Sequence, residues 1–486
     1  MLNLISDPWI PVSCADGARR VIAPWQMAEP DVVAPDWPRP DLNIACLELL
    51  IGLVYLADPP RDLDDWDSRK ARDPERLREK LAPYAPAFNL LGEGPLFLQD
   101  FEPLAGATSS PDMLFIDSAG ANTARNNADL MVHRNRYTVL EPALAAMALY
   151  TFQAFAPSGG AGNRTSMRGG GPLVTLVDPG QGLWPLVWAN VPYGQPSPPQ
   201  SLPWMRPTRV SDKGQETLPP EGALFGAEAF FGMPRRLRLV ADAEGVRGVV
   251  QKNRGTNYAK WKHPLSPYYR QKVGTEWLPK HPRAGRFGYR NWLGILARER
   301  RDQLTELSLS LRDWSGRFGL GSVIVAGWAM DNMKPRDFTL SVQPFLNLPP
   351  EQEDRIAGLI LAAEAAAVAL RAALEPVLAA GEMREAEREA FSAQPKTALP
   401  SIWRRCARAP TRARPGWKTF AGRPCIGSKR LRFRGSTSAK PTGSKESSPP
   451  GSFLAWLSQD TGARGRRSLT RLNCRNRRRR GKPHDQ

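Results

Sequence analysis

Apolar positions along the chain fall in blocks separated by glycine- and proline-rich punctuation, and their spacing predicts helices and strands in mixture. Ile44–Ala57 is apolar except at Glu48; entered at Asp41 and stopped at Pro59-Pro60, it predicts a buried helix too short to cross a bilayer. Glu141-Pro142 opens an alanine-rich helix, with proline where a first-turn proline is tolerated and Ala143–Phe155 as its apolar body. Leu173–Val177 and Leu183–Val191 flank Pro179-Gly180-Gln181-Gly182, which predicts a hairpin. Pro192–Pro207 reads as an irregular surface excursion. Ser322–Ala326 reads as a short strand running into Gly327–Arg336, a polar and basic exposed turn. From Glu351 the period becomes helical, with Ile356, Leu359, Ile360, Ala363, Ala367, Leu370 and Leu374 on one face. Pro376 and Gly381 end that helix, and Met383–Phe391 begins a second, charged one.

These elements describe an α+β protein. A large mixed α/β domain spans residues 1–350, a C-terminal helical bundle opens over 351–394, and 395–486 has no sustained period. The formal charge of +19 sits almost wholly in that last stretch. From Phe391 onward there are 24 Lys/Arg against 3 Asp/Glu, while the remainder holds 43 against 45 and is close to neutral. The tail cannot bury enough apolar surface to offset chain entropy. It reads either as a disordered arginine-rich arm that binds RNA or DNA, or as a shifted reading frame. Its abrupt start inside a helical pattern favours the shifted frame. Five scattered cysteines without a CxxC pair argue for a reducing compartment and against structural zinc. The start of the chain, MLNLISDPWIPV, lacks the pattern of a signal peptide, so the expectation is a cytoplasmic protein without membrane attachment.

Candidate chemistry concentrates in two segments. Ser158–Pro172 (SGGAGNRTSMRGGGP) carries six glycines, two arginines and no acid. Glycine lets backbone N–H groups approach a phosphate or groove wall closely, and Arg164 and Arg168 supply planar donors. The alternative is a plain linker or tight turn; a nucleotide P-loop would need a lysine and a glycine spacing that are absent. Residues 252–290 carry ten Lys/Arg against one acid, Glu276, interleaved with Tyr258, Trp261, Tyr268, Tyr269 and Trp277. Such a ribbon neutralises phosphates and offers stacking faces, unless it is a solvated surface with core aromatics. Four histidines form no metal-binding pair, and His263 and His281, each before a proline, read as structural turn residues. No nucleophile motif or dinucleotide fingerprint is present, so catalysis is not supported. Beside plain polyanion binding, the residues leave open a nucleic-acid-modifying enzyme with the ribbon as channel, or a general RNA-binding protein driven by the tail.

Five motifs in order over about residues 1–390 resemble the large subunit of the type I-E CRISPR surveillance complex Cascade, the CasA family. They are Asp7-Pro8-Trp9-Ile10-Pro11-Val12; Gly120–Thr123 through Asn126-Asn127 and His133-Arg134; Gly160–Gly162 with Arg168-Gly169-Gly170; Trp261–Pro267; and Gly327–Lys334. The resemblance implies a non-catalytic subunit of an RNA-guided antiviral complex, needing no cofactor and no metal. Its implied partners are guide RNA, the other Cascade subunits, double-stranded target DNA, and a helicase-nuclease recruited after target binding. It further implies that Gly160, Ala161 and Gly162, Lys252, and Asp331, Asn332 and Met333 read a protospacer-adjacent motif from the minor groove and wedge the duplex. Asn122, Asn126, Asn127 and Arg134 would belong to the loop that reaches the guide RNA handle. Minor-groove readout carries little base code, so backbone amides and one lysine suit a motif reader that leaves sequence to guide pairing. The chain departs from the family pattern in three ways. Ala161 adds a methyl to the glycine triplet, Arg238–Val250 has no cysteine cluster, and the bundle pattern is lost after about Phe391.

Overall fold

The computed structural model describes residues 2–393 apart from 119, 128, 130–131, 161, 299–302, 318–320, 346–349 and 379–380. The tail assigned to 395–486 therefore lies outside the described residues. Among the described residues, four three-stranded antiparallel sheets are distributed among helices. The first joins β1 (Ile10–Cys14), β2 (Arg19–Ile22) and β3 (Val32–Pro35); the second joins β4 (Thr108–Ser109), β6 (Arg236–Ala241) and β7 (Val246–Lys252). The third joins β5 (Val174–Asp178), β11 (Ser322–Asp331) and β12 (Lys334–Pro344). A small fourth sheet holds β8 (Tyr268–Tyr269), β9 (Leu278–Pro279) and β10 (Thr305–Glu306). The helices are α1 (Pro40–Ala57), α2 (Leu63–Ser68), α3 (Pro74–Leu81), α4 (Ala121–Arg125), α5 (Pro142–Phe155), α6 (Leu183–Asn190), α7 (Leu309–Arg317), α8 (Pro350–Ala373) and α9 (Gly381–Ala393). The expected mixed α+β class is what the structure shows.

The predicted buried helix forms α1 and is the axle of the core. Seventeen of its eighteen residues are buried, and α5 and α6 pack against it. Such all-round apolarity belongs to a helix surrounded by protein. Because α1 starts at Pro40, it is longer than the Ile44–Ala57 run that was expected to be too short to span a bilayer. Among the described helices, α1 and α8 alone are apolar and long enough to cross a membrane, the α1 window being 94% buried inside the protein and that of α8 17%. Glu48, the polar exception in α1, is completely buried and finds its partner 120 residues away.

Four further expectations need correction. Leu183–Val191 does not return as a hairpin strand; Leu183–Asn190 is helix, and β5 pairs with β11 instead. An unbroken apolar run has the same period signal whether it is a buried strand or a buried helix. Here Asn190 settles the matter, because its side chain bonds the Val177 amide and carbonyl (2.8 and 2.7 Å) as well as Leu186 O (2.8 Å), sealing α6 against β5. Pro192–Pro207 is irregular but not wholly superficial: Trp204 is fully buried, its indole N–H donating to Ala87 O. Ser322–Ala326 continues in strand to Asp331, so the exposed turn is confined to the hairpin tip. In the C-terminal pair, Ile356, Ile360 and Ala367 are buried as expected, whereas Leu359 is exposed.

Candidate nucleic-acid interface

The glycine-rich segment leaves α5 at Phe155 and divides into two halves of different character. Its outer half is exposed at Ser158, Gly159, Gly160 and Gly162; Ala161 lies outside the described residues. Gly160 and Gly162 take φ of +65° and +80°, where a side chain is disfavoured, and the Asn163 amide closes a turn onto Gly160 O (2.8 Å). The inner half is packed. A β-carbon on Gly171 would stand 2.4 Å from Trp328 O on β11, and one on Gly170 3.2 Å from the Met333 sulfur. These glycines are there for close backbone approach, not for flexibility.

Of the two arginines of the segment, Arg168 is withdrawn from any polyanion, while Arg164 is half-buried on a neutral partner. Arg168 is buried and pairs with Glu48 (2.6 Å), with Ser266 Oγ 3.2 Å away and the Phe155 ring beneath it. Burial pushes the Glu48 carboxyl up while Arg168 draws it back. His263 stands 3.8 Å from the same carboxylate, and burial together with Arg168 holds its pKa well below the ordinary value. The expected structural role of His263 is what the geometry shows. Arg164 donates to Ser211 Oγ at 2.8 Å and is half-buried. Both guanidiniums anchor the loop.

Lys252 ends β7 and is exposed, with no ion-pair partner among the described residues. The strand's end is stitched to the glycine loop by two bonds: Gln251 Nε2 to Asn163 Oδ1 (2.6 Å) and the Arg254 amide to Gly162 O (2.9 Å). Much of the basic aromatic ribbon is internal. Trp261 and Tyr268 are buried, Tyr258 bonds Glu228 through its hydroxyl (2.7 Å), and Lys262 pairs with Glu306. Lys262 and Arg270 stand 4.5 and 4.6 Å from the Trp277 ring centroid. The continuous stacking channel that the composition suggested is not present; Tyr269 is its one exposed aromatic among those five.

At the β11–β12 tip, Asp331, Asn332 and Met333 are exposed. Asn332 and Met333 both take the left-handed conformation, φ +48° and +61°, as a two-residue type I′ turn requires. Asparagine tolerates this; methionine does so at a cost of about 1 kcal/mol. Asp331 accepts from Asn332 (3.0 Å) and from Arg336 (2.8 Å), which stiffens the tip. Elsewhere, Asn122 lies in α4, and Asn126 and Asn127 follow it exposed, Asn127 at φ +47°. Arg134 folds back onto Ala124 O (2.7 Å), Asn127 Oδ1 (3.0 Å) and Asp129, so it ties the loop together.

The structure thus brings the glycine loop, Lys252 and the hairpin tip onto one segment, with the Asn122–Arg134 loop as a separate unit. A family model for the CRISPR-associated protein Cse1 matches residues 3–423. The chain belongs to the Cse1 family. Solved Cse1 structures share its fold. CasA (Cse1) of Thermus thermophilus superposes with a TM-score of 0.62 at 20% identity, covering 84% of this chain and 92% of that one. Cse1 of Acidimicrobium ferrooxidans gives 0.59 at 19% identity, covering 84% and 88%. Cse1 of Thermobifida fusca gives 0.61 at 18%, covering 83% and 85%. A chain of a CRISPR RNA-guided surveillance complex also superposes, with a TM-score of 0.57 at 18% identity over 84% of this chain and 90% of that one. The resemblance drawn from the five motifs is borne out. For the Cse1 motifs themselves, the sequence reading missed the residues that hold the loops in place: Arg168 with Glu48, Asn163 with Gln251, and Arg235 beneath the glycine loop. Partners 71 to 120 positions apart leave no local signal of such pairing.

Proposed function

We propose that this Cse1-family chain is a non-catalytic subunit of an RNA-guided antiviral surveillance complex. It reads the protospacer-adjacent motif of duplex DNA from the minor groove, begins strand separation, and assists recruitment of a helicase-nuclease once the target is held. The observation that carries the reading is the convergence of three exposed elements on Ser158–Pro172. Gly160 and Gly162 present bare backbone, Lys252 presents a cation without an ion-pair partner among the described residues on the strand end stitched to them, and Met333 presents an apolar tip against the same segment. Backbone and one lysine suit a groove with little base code, and an apolar wedge suits unstacking of a base step. The loop carrying Asn122, Asn126, Asn127 and Arg134 serves the guide RNA handle in this reading, with Arg134 shaping the loop and Asn126 and Asn127 exposed.

The test is duplex binding by the complex assembled with guide RNA. Lys252→Ala and Asn332→Ala are expected to weaken binding to motif-bearing duplex about tenfold while leaving assembly unchanged. Equal losses on motif-free duplex would remove motif reading from this site.

A further inference from the structure

Arg235 lies directly beneath the outer half of the glycine loop and is 4% exposed. Its Nε donates to Arg164 O (2.6 Å) and its Nη2 to Pro157 O, so one guanidinium grips both ends of the loop by their carbonyls. Gln153 fixes its backbone, accepting from the Arg235 amide and donating to its carbonyl, both at 3.0 Å. The Phe152 ring lies 5.3 Å from the guanidinium carbon.

Among the described residues no carboxylate pairs with this cation. The other deeply buried arginine of the segment, Arg168, has Glu48; Arg235 has only neutral carbonyls. Burial without a counter-charge lowers its pKa to about 10, which still leaves it protonated at neutral pH. A buried charge held only by dipoles costs far more than one that is paired. Such a cost persists where another molecule supplies the opposite charge. The third nitrogen, Nη1, has no protein acceptor among the described residues, and it faces Gly159: a β-carbon there would stand 3.1 Å from it. The missing side chain leaves the loop thin at that point.

We propose that Arg235 is the positioning residue of the glycine loop and that its missing counter-ion is a backbone phosphate of the bound polynucleotide lying across Ser158–Gly160. The inference rests on the duplex-reading role of the loop and adds to it a source of charge that is hidden from the surface. A neutral glycine triplet has no charge with which to hold a phosphate. Arg235 provides one from below, while its bonds to Pro157 and Arg164 set the loop's width.

Two variants separate charge from packing in the assembled complex. Arg235→Gln keeps a donor to the carbonyls and removes the charge; Arg235→Lys keeps the charge. The expected result is about a tenfold loss of motif-bearing duplex affinity for R235Q, with a salt dependence shallower by about one phosphate, and recovery to within threefold in R235K. R235Q within twofold of wild type, or R235K as weak as R235Q, overturns the proposal. If K252A also leaves motif binding unchanged, the duplex-reading role itself has failed, and a second probe still decides on Arg235. Inorganic tripolyphosphate added to the full chain should raise the melting temperature of wild type more than that of R235Q, since binding shared with the unfolded state cancels. Equal shifts overturn the anion site.

Discussion

Removing the Glu48 carboxylate should damage this protein more than any surface change. Glu48 and Arg168 are buried to 1% and 3% side-chain exposure, and their 2.6 Å bond ties the axle helix α1 to the glycine segment. Glu48→Leu fits an apolar helix, yet it strands Arg168 with Ser266 Oγ at 3.2 Å and Ala154 O at 3.5 Å and no opposite charge. Stranding one member of a buried pair costs about 3–5 kcal/mol, a large share of the roughly 5–15 kcal/mol that holds a domain folded. For a body of about 390 residues the unfolding entropy is about 0.8 kcal/mol/K, so the melting temperature should fall by about 4–6 °C. Replacing both partners, Glu48→Leu with Arg168→Met, removes the stranded charge and should restore stability to within about 1.5 kcal/mol of wild type. Urea unfolding of the four proteins gives the coupling energy directly, with an expected value of at least about 2 kcal/mol. The double variant should still bind motif-bearing duplex poorly, because the inner half of the loop has lost its tether. A Glu48→Leu loss below about 1 kcal/mol, or a double variant as unstable as the two single losses added, would falsify the pairing as the anchor.

Other consequences are open to simpler tests. His263 is held neutral in the fold, its pKa well below the unfolded value near 6.5. Unfolding therefore takes up a proton below that value, so stability is full above about pH 6.5 and lost as pH falls. The loss attributable to His263 is about 1.4 kcal/mol at pH 5.5, and His263→Gln should flatten that slope in urea unfolding; an unchanged slope excludes the buried neutral imidazole. At the hairpin tip, Met333→Gly relieves a left-handed methionine and should stabilise the fold by about 0.5–1 kcal/mol. The same change should slow strand separation in a fluorescent base-opening assay; faster or equal opening removes the wedge role from Met333.

Much of the fold was legible because α1, α5, β5, β11 and the start of the C-terminal helices each announce themselves by local period or by a stop signal. Leu183–Asn190 was not, since its apolarity is unbroken and only the distant bonds of Asn190 to Val177 choose helix over strand. The exposed strip was legible too: Gly160, Gly162, Lys252, Asn332 and Met333 are all at the surface. The arginines were misread for a physical reason. Composition reports charge but not its partner, so Arg168 looked like a phosphate donor when Glu48 already occupies it, and Arg164 looked free when Ser211 holds its Nε. The basic ribbon misled in the same way, with Lys262 turned inward to Glu306 and Trp277.

What unites the site is that one stretch of chain is anchored twice by buried arginines with opposite electrostatic situations. Arg168 is neutralised, so the inner half of the loop is fixed regardless of any ligand, and it fixes the hairpin tip through Gly170 and Gly171. Arg235 is not neutralised by any described carboxylate, which is the charge that the proposed phosphate would balance. If the proposed function holds, a loop built this way would keep the hairpin tip at a constant height above Gly160 and Gly162 while its grip responded to a bound phosphate. On the proposed reading, that division accounts for two arginines 67 positions apart in sequence, both nearly inaccessible, under a loop whose exposed described residues include Ser158, Gly159, Gly160 and Gly162. It also orders the losses: Glu48 and Arg168 variants should lose stability and binding together, whereas Arg235→Gln should lose binding out of proportion to stability.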